Sequence, residues 1–102
     1  VSDASGRAHY FSRSPIPYVR GGDEAFVPPV ARRHVGLYAY RVSFLTDFAS
    51  QPVAPLEKIE SLEQLRALHC GHEIQIADAM EPVPGGVDTQ KDLDAVRRLM
   101  AR

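Results

Sequence analysis

RHVGLYAY, residues 33–40, is the stretch that decides the fold, because aliphatic residues alternate along it with polar and aromatic ones. A period of two in β-prone residues predicts a strand. The alternation places His34, Tyr38 and Tyr40 on one face and the aliphatic side chains on the other. Directly after it, residues 42–49 carry apolar side chains at helical spacing and are followed by Gln51-Pro52, which predicts a short helix.

Residues 56–70 form the next helical pattern, which Pro55 starts and Gly71 ends. Its leucines and isoleucine recur every third residue, so at 100° per residue the apolar arc is unusually wide. In an unbroken helix Glu63 projects inside that arc, whereas Gln64, Glu57 and Glu60 occupy the narrow remaining face.

Shorter signals complete the pattern on both sides of these elements. Residues 1–7 resemble a hairpin turn, and residues 8–12 and 73–79 are predicted strands. Residues 13–31 hold four prolines and two glycines, which predict a long ordered loop. Thr89 is a predicted helix N-cap with Asp92 as its capping-box partner, ahead of a buried stripe of Leu93, Val96, Leu99 and Met100. The order of elements predicts an α/β fold with too few strands for an independent doubly wound sheet.

The composition excludes several classes of protein. With 102 residues there is room for one small core. A net charge of −1, with both signs mixed, gives no footprint for nucleic acid. No apolar run approaches a membrane span, and no leader opens the chain. The single cysteine fits a reducing compartment, so we expect a cytoplasmic protein.

Asp88, in the stretch Gly85-Gly86-Val87-Asp88-Thr89, is the first candidate functional residue. Two glycines permit unusual backbone conformations, and a carboxylate is a hard oxygen ligand of the kind that Mg²⁺ prefers. The alternative is a turn aspartate before a helix cap. Because the sequence contains no glycine-rich phosphate loop, other polypeptide must complete any nucleotide site here.

Three further groups of residues have both a functional and an ordinary interpretation. His34 and Tyr38, roughly 13 Å apart on a strand, line a groove or simply face solvent. The arginines that bracket the loop at 13–31 bind anions or are merely exposed; these are Arg13, Arg20, Arg32 and Arg33. His69 and His72 do not have the spacing of a zinc site and instead suit a helix C-terminus, with Cys70 as a packed thiol.

Four segments together resemble the C-terminal half of the 3-deoxy-manno-octulosonate (KDO) cytidylyltransferases, also called CMP-KDO synthetases. They are YFSRSPIPY (10–18), RHVGLYAYR (33–41), PLEKIESLEQLRAL (55–68) and GVDT (86–89). The combination covers nearly the whole chain in the right order and is far more specific than any one segment. The chain departs from the family in carrying His69 and Cys70, where aromatic residues are usual, which affects packing more than chemistry.

The resemblance implies a Rossmann-like, GT-A-like nucleotidyltransferase domain, with a mixed sheet flanked by helices. Residues 1–102 would be its C-terminal, sugar-binding part, and the N-terminal nucleotide-binding half would lie outside this sequence. The implied reaction transfers a cytidylyl group from CTP to KDO, giving CMP-KDO and pyrophosphate for lipopolysaccharide biosynthesis. The implied partners are CTP, KDO and a second copy in a homodimer.

The resemblance also assigns site residues. Asp88 would bind Mg²⁺ and take part in catalysis, and Arg13 would contact the anionic sugar or the phosphates. His34, Tyr38, Glu63 and Gln64 would line the KDO pocket. The absence of the nucleotide loop puts catalysis by these 102 residues alone in doubt. Two alternatives remain: a non-catalytic interaction module that docks through the apolar arc of 56–68, and a related cytidylyltransferase acting on another sugar acid such as sialic acid.

Overall fold

The computed structural model describes residues 1–22 and 30–101, and this part of the chain contains four helices. They are α1 (Val42–Ser50), α2 (Pro55–Glu60), α3 (Gln64–His69) and α4 (Gln90–Met100). The predicted loop at 13–31 has no helix or strand in its described parts, and its residues 23–29 lie outside the described residues. The helix predicted at 42–49 is confirmed as α1.

The predicted strands are not confirmed as a sheet. Within the described residues, 1–22 and 30–101, strand pairing is limited to two isolated bridges, Ser2–Ala8 and Arg7–Gln75. The predictions of extended strands at 8–12 and 73–79 are therefore wrong beyond these bridges. At 33–40 the prediction of a strand is wrong because Gly36 has a φ of +80° and no described segment pairs with the stretch. A strand needs a neighbour for its backbone groups, which alternation alone does not supply.

The N-terminal turn is confirmed and is held to residues 74–76. The Ala8 N–H donates to the Ile74 carbonyl at 2.8 Å, and the Ile76 N–H donates to the Gly6 carbonyl at 2.8 Å. Gly6 has a φ of +83°, and a Cβ there would lie 2.5 Å from Nε2 of Gln75. Only glycine meets both requirements.

The single helix predicted at 56–70 is wrong, because the chain turns between α2 and α3. Ser61 takes a left-handed conformation, with φ 51° and ψ 47°. The break rotates α3 relative to α2, and the two helices pack against each other. As a result, Glu57 is buried although the unbroken helix placed it on the polar face, and Ile59 is 78% exposed although it belonged to the apolar arc.

Helix α4 begins as predicted, with reciprocal capping between Thr89 and Asp92. The Asp92 N–H donates to Oγ1 of Thr89 at 3.2 Å, and the Thr89 N–H donates to the Asp92 carboxylate at 2.9 Å. The predicted buried stripe is only partly confirmed. Leu93 and Val96 are half-buried, whereas the last two members, Leu99 and Met100, are exposed.

The core is small for a chain of this length. Leu65 is the one large side chain that is fully buried among the described residues, and it is joined by three buried alanines, Ala8, Ala54 and Ala67. The radius of gyration is 16.5 Å, above the value of about 13 Å expected for a compact domain of this size. Much apolar surface is therefore open. In the part of the chain that the structure describes, no helix is long and apolar enough to cross a membrane.

Candidate functional site

A wide cleft of about 1810 Å³ lies among the described residues. Its walls come from residues 1–4, residues 10–17, residues 30–41, helix α1, helix α3 with the preceding Glu63, and residues 72–77. Five of the predicted site residues line it, although they are distant in sequence. They are Arg13, His34, Tyr38, Glu63 and Gln64.

A continuous row of aromatic rings forms one wall of the cleft. The rings of Tyr38 and Tyr40 are stacked at 5.8 Å, and those of Tyr40 and Phe44 at 5.3 Å. Neighbouring centroids along the whole row are 5.1–5.8 Å apart, in the order Phe11, His34, Tyr38, Tyr40, Phe44 and Phe48. Aromatic pairs at these distances stabilise each other beyond their burial, so the row makes a stiff apolar wall.

His34 and Tyr38 contact each other directly, so the predicted separation of roughly 13 Å is wrong. Nε2 of His34 is hydrogen-bonded to the Tyr38 hydroxyl, and the two rings meet edge to face with centroids 5.6 Å apart. The positive φ of Gly36, midway between them, is incompatible with the straight strand on which the estimate depended. The pair therefore acts as one polar unit in the aromatic wall.

Tyr38 is half-buried, and its environment keeps its phenol neutral. Burial, followed by the charges of Tyr40 and Glu63, raises the pKa of Tyr38 to about 12. Each of these causes disfavours the phenolate. The hydroxyl therefore stays protonated between about pH 10 and pH 12, where an ordinary tyrosine ionises.

Glu63 was predicted to lie in the apolar arc and Gln64 on the polar face, but the structure shows the reverse, because the helix is broken at Ser61. Glu63 is exposed and immediately precedes α3, whereas Gln64 is buried, with only 9% of its surface exposed. Nε2 of Gln64 is buried and has no hydrogen-bond partner among the described residues. A buried amide donor without a partner is costly, and it lies in the wall of the cleft.

Arg13 is hydrogen-bonded to the end of α2. Its Nε donates to the Glu60 carbonyl at 2.7 Å, and its Nη2 donates to the Ser61 carbonyl at 2.8 Å. These carbonyls lie at a helix C-terminus, where a cation is favourable. The guanidinium is thus held at the rim of the cleft, and its predicted contact with an anionic ligand stays a prediction.

Helix α3 is fixed behind the cleft by a buried ion pair that the sequence reasoning missed. Nε and Nη2 of Arg66 donate to the two carboxylate oxygens of Glu57 at 2.8 and 2.6 Å. The guanidinium also lies 4.4 Å from the ring centre of Phe48, the last ring of the aromatic row. The Arg66 hydrogen bonds, the largest cause, lower the pKa of Glu57. A signal was present, because Pro55 and Glu57 stand at the first and third helical positions, where a glutamate caps the Ala54 N–H.

Asp88 is not among the residues that line the cleft. It is exposed, and its N–H joins the capping network of α4 by donating to Asp92 at 3.3 Å. Neither Gly85 nor Gly86 has a positive φ, so the special conformations expected of this glycine pair are absent. Across residues 1–22 and 30–101, no group of three or more His, Cys, Asp or Glu side chains is placed to hold a metal ion.

Among the remaining candidates, Arg32 and Arg33 also line the cleft, and the predicted anion binding of the arginines stays a prediction. Arg32 pairs with Asp78, and Arg33 donates to the Val83 carbonyl, while Arg20 is exposed. Cys70 is exposed, so the prediction of a packed thiol is wrong. His72 is hydrogen-bonded to Asp47 at 2.7 Å and packs against the Phe44 ring. The interpretation of 69–72 as a helix end is confirmed, since α3 ends at His69.

Comparison with known proteins identifies the class. The family model for cytidylyltransferases matches residues 1–74, and the chain belongs to this family. Three similar proteins, all named 3-deoxy-manno-octulosonate cytidylyltransferase, come from Saccharophagus degradans (51% identical over 95% of this chain), Pseudomonas syringae pv. tomato (51% over 97%) and Neisseria gonorrhoeae (52% over 95%). The match covers 41%, 41% and 40% of these relatives. The chain therefore spans less than half the length of the curated relatives it matches.

Proposed function

We propose that the protein transfers a cytidylyl group from CTP to 3-deoxy-D-manno-octulosonate, releasing pyrophosphate and giving CMP-KDO for lipopolysaccharide biosynthesis. In this proposal residues 1–102 supply the sugar pocket and one metal ligand. The observation that carries it is the identity of 51–52% over the aligned residues with three proteins named 3-deoxy-manno-octulosonate cytidylyltransferase. Arg13, His34, Tyr38, Glu63 and Gln64 all line the wide cleft, which agrees with it. Each was proposed as a site residue from the sequence, and the similar proteins are 51% identical to this chain over the aligned residues, which are 41% of their own length.

The chemistry of the cleft suits a polyhydroxylated sugar acid. Nε2 of Gln64 has no partner among the described residues but is closed to solvent, so it becomes a donor to a ligand oxygen only when the wall around it moves on binding. The Tyr38 hydroxyl stays neutral up to high pH. Glu63 is exposed in the cleft and is suited to accept hydrogen bonds from sugar hydroxyls.

Mg²⁺ is the expected cofactor, and Asp88 fits it as a single ligand. Its carboxylate is exposed outside the cleft lining, and Mg²⁺ is commonly bound by one or two carboxylates together with substrate phosphates. Asp88 would hold the ion, which when bound neutralises phosphate charge. The cleft residues orient the sugar hydroxyl for attack on the α-phosphorus, so that most of the rate gain comes from positioning. A homodimer and a cytoplasmic location belong to the same proposal.

Asp88→Asn tests the proposal in the protein as its gene encodes it. We expect kcat for CMP-KDO formation to fall by about 100-fold or more, because one preorganised charge is removed from the reacting centre. The melting temperature should be unchanged, since Asp88 is exposed and α4 is capped by Thr89 and Asp92.

The matched control is Asp94→Asn, the same chemical change on α4, where Asp94 contacts only Gln90 and Arg97 among the described residues. Its activity should equal that of the unchanged protein. Normal turnover in Asp88→Asn would remove this residue from the mechanism. No CMP-KDO formation by the unchanged protein would overturn the proposed function itself.

An interaction module is the second candidate, and the exposed apolar side chains favour it. Leu37 is 89% exposed and Ile59 78%, which suits docking on a partner. A protein that forms no product from CTP and any sugar acid, and does not bind CTP, would favour the module.

A cytidylyltransferase acting on KDO and one acting on sialic acid are distinguished by comparing the turnover of the two sugar acids with CTP.

A further inference from the structure

Glu60, at the C-terminal end of α2, gathers hydrogen bonds from a segment about fifty residues earlier in the chain. Its Oε1 accepts from Oγ of Ser12 at 2.7 Å and from the Tyr10 hydroxyl at 3.3 Å. Its Oε2 accepts from the Arg13 N–H at 3.0 Å. One carboxylate therefore accepts three hydrogen bonds from residues 10–13.

The same residue is also held through its backbone, by the Arg13 side chain. Because Arg13 donates to the carbonyls of Glu60 and Ser61, the two segments hold each other from both sides. We call this set of residues the Glu60 clamp; it consists of Tyr10, Ser12, Arg13, Glu60 and Ser61.

The clamp lies at the turn that places Glu63 and Gln64. Ser61 has a left-handed conformation, and α3 begins at Gln64, only three residues later. The segment 10–13 and the pair Glu63–Gln64 both line the cleft, whereas Glu60 itself is not among its lining residues. Without the hydrogen bonds of the clamp, residues 10–13 and the α2–α3 turn at Ser61 can move relative to each other. Such a movement changes the distance between the two cleft walls to which residues 10–13 and Glu63–Gln64 belong.

We infer that Glu60 is a positioning residue, which sets the sugar-binding geometry by fixing the 10–13 segment to the α2–α3 turn. This inference rests on the proposed function and adds a residue to which neither the sequence pattern nor the family resemblance gave a role. The contact is charge-assisted, and such hydrogen bonds are roughly twice as strong as neutral ones. An apolar or amide side chain at position 60 cannot accept all three hydrogen bonds that the Glu60 carboxylate accepts.

The experiment is steady-state kinetics of Glu60→Gln and Glu60→Ala in the protein as its gene encodes it, with CTP saturating and KDO varied. An amide keeps an acceptor for Ser12 but presents a donor to the Arg13 N–H. We therefore expect a graded rise in KM for KDO, about tenfold for the alanine variant and less for the glutamine variant. kcat should stay within about twofold, because Glu60 contacts no reacting atom.

A double-mutant cycle with Ser12→Ala distinguishes positioning from a general loss of stability. If the clamp is the cause, Ser12→Ala adds little to KM once Glu60 is alanine, because the contact is already lost. All assays run well below the melting temperature of each variant. Glu81→Gln is the matched control, since Glu81 is exposed and outside the cleft lining, and its KM should not change.

An unchanged KM for KDO in Glu60→Ala, or fully multiplicative effects of the Glu60 and Ser12 substitutions, would overturn the inference. Either result leaves the proposed function intact, provided that the unchanged protein forms CMP-KDO. Failure of the proposed function is seen separately, as absence of product from the unchanged protein.

Discussion

Gln64 is the residue at which stability and function are expected to conflict. Its side chain is buried in the cleft wall with an unpartnered Nε2, and an unsatisfied buried polar group costs about 1–3 kcal/mol. We expect Gln64→Leu, which keeps the shape and removes the amide, to hold or raise the melting temperature. The same substitution should raise KM for the sugar acid about tenfold, because a ligand oxygen loses its donor.

Thermal unfolding and kinetics of Gln64→Leu check this together. Gln90→Leu serves as the control, since Gln90 is exposed at the start of α4. A fall in stability with unchanged KM would show that the amide is structural.

Tyr38 gives a pH dependence with a defined sign. Its pKa is raised to about 12 in the folded protein, against 10.0 for an ordinary tyrosine. Between these values the unfolded chain loses a proton that the folded chain keeps, so the free energy of unfolding falls as pH rises from about 10 to about 12. The stability that the folded protein gains by keeping the Tyr38 proton is fully present below pH 10 and is lost as the pH rises to about 12.

Ultraviolet titration of tyrosinate, comparing the protein with Tyr38→Phe, measures this pKa. Glu63→Gln should lower it, since the Glu63 charge is one of its causes, after burial and Tyr40. A midpoint near 10 for Tyr38 would contradict the structure.

The identities of the cleft residues were predictable, but their geometry was not. Sequence patterns and the family resemblance named His34, Tyr38, Glu63 and Gln64, and the cleft brings them together. Their contacts depend on two backbone conformations, the positive φ of Gly36 and of Ser61. A glycine signals the first only weakly, and nothing in a serine signals the second.

At the scale of elements, the buried pair Glu57–Arg66 holds α2 and α3 together. The side chains of Arg66 and Glu57 are 15% and 8% exposed, and breaking a buried pair leaves an uncompensated charge. We expect Glu57→Gln to lower the free energy of unfolding by about 3 kcal/mol. Exchanging both for apolar residues, Glu57→Met with Arg66→Leu, should recover most of this loss.

Denaturant unfolding of the two variants tests the pair. Glu73→Gln is its control, because the Glu73 side chain is 74% exposed in its pair with Arg7 and surface pairs contribute little. Equal stability of Glu57→Gln and the unchanged protein would contradict the assignment.

Helices were predicted well where a local signal was clear: apolar spacing before Gln51-Pro52 for α1, and the Thr89–Asp92 capping box for the start of α4. The division into α2 and α3 was not predicted, because the leucine spacing at 56–68 is the same whether the helix is continuous or is interrupted at Ser61. Glu57 and Arg66 are nine residues apart, so no single-helix pattern pairs them. Strands failed for a different reason, since alternation at 33–40 describes a face without supplying a neighbouring strand.

The described residues, 1–22 and 30–101, bury too little apolar surface to make a firmly stable unit. Among them the buried hydrophobic side chains are Leu65 and three alanines, while Leu37, Val42 and Ile59 are largely exposed. We therefore expect a polypeptide of residues 1–102 alone to unfold over a broad denaturant range with a small m-value, and to bind a hydrophobic dye.

Denaturant titration with dye fluorescence checks this expectation. The Saccharophagus degradans relative, of which this chain matches 41%, is the comparison and should unfold sharply. A sharp transition without dye binding by the 102-residue polypeptide would show that its small core suffices.

The aromatic wall has one optical consequence. The chain has four tyrosines and no tryptophan, and Tyr10, Tyr38 and Tyr40 line the cleft. Near-ultraviolet circular dichroism of residues 1–102 should therefore come mainly from phenol rings, two of them coupled by stacking. If the proposed sugar acid binds in the cleft, we expect this intrinsic signal to change without attaching a label.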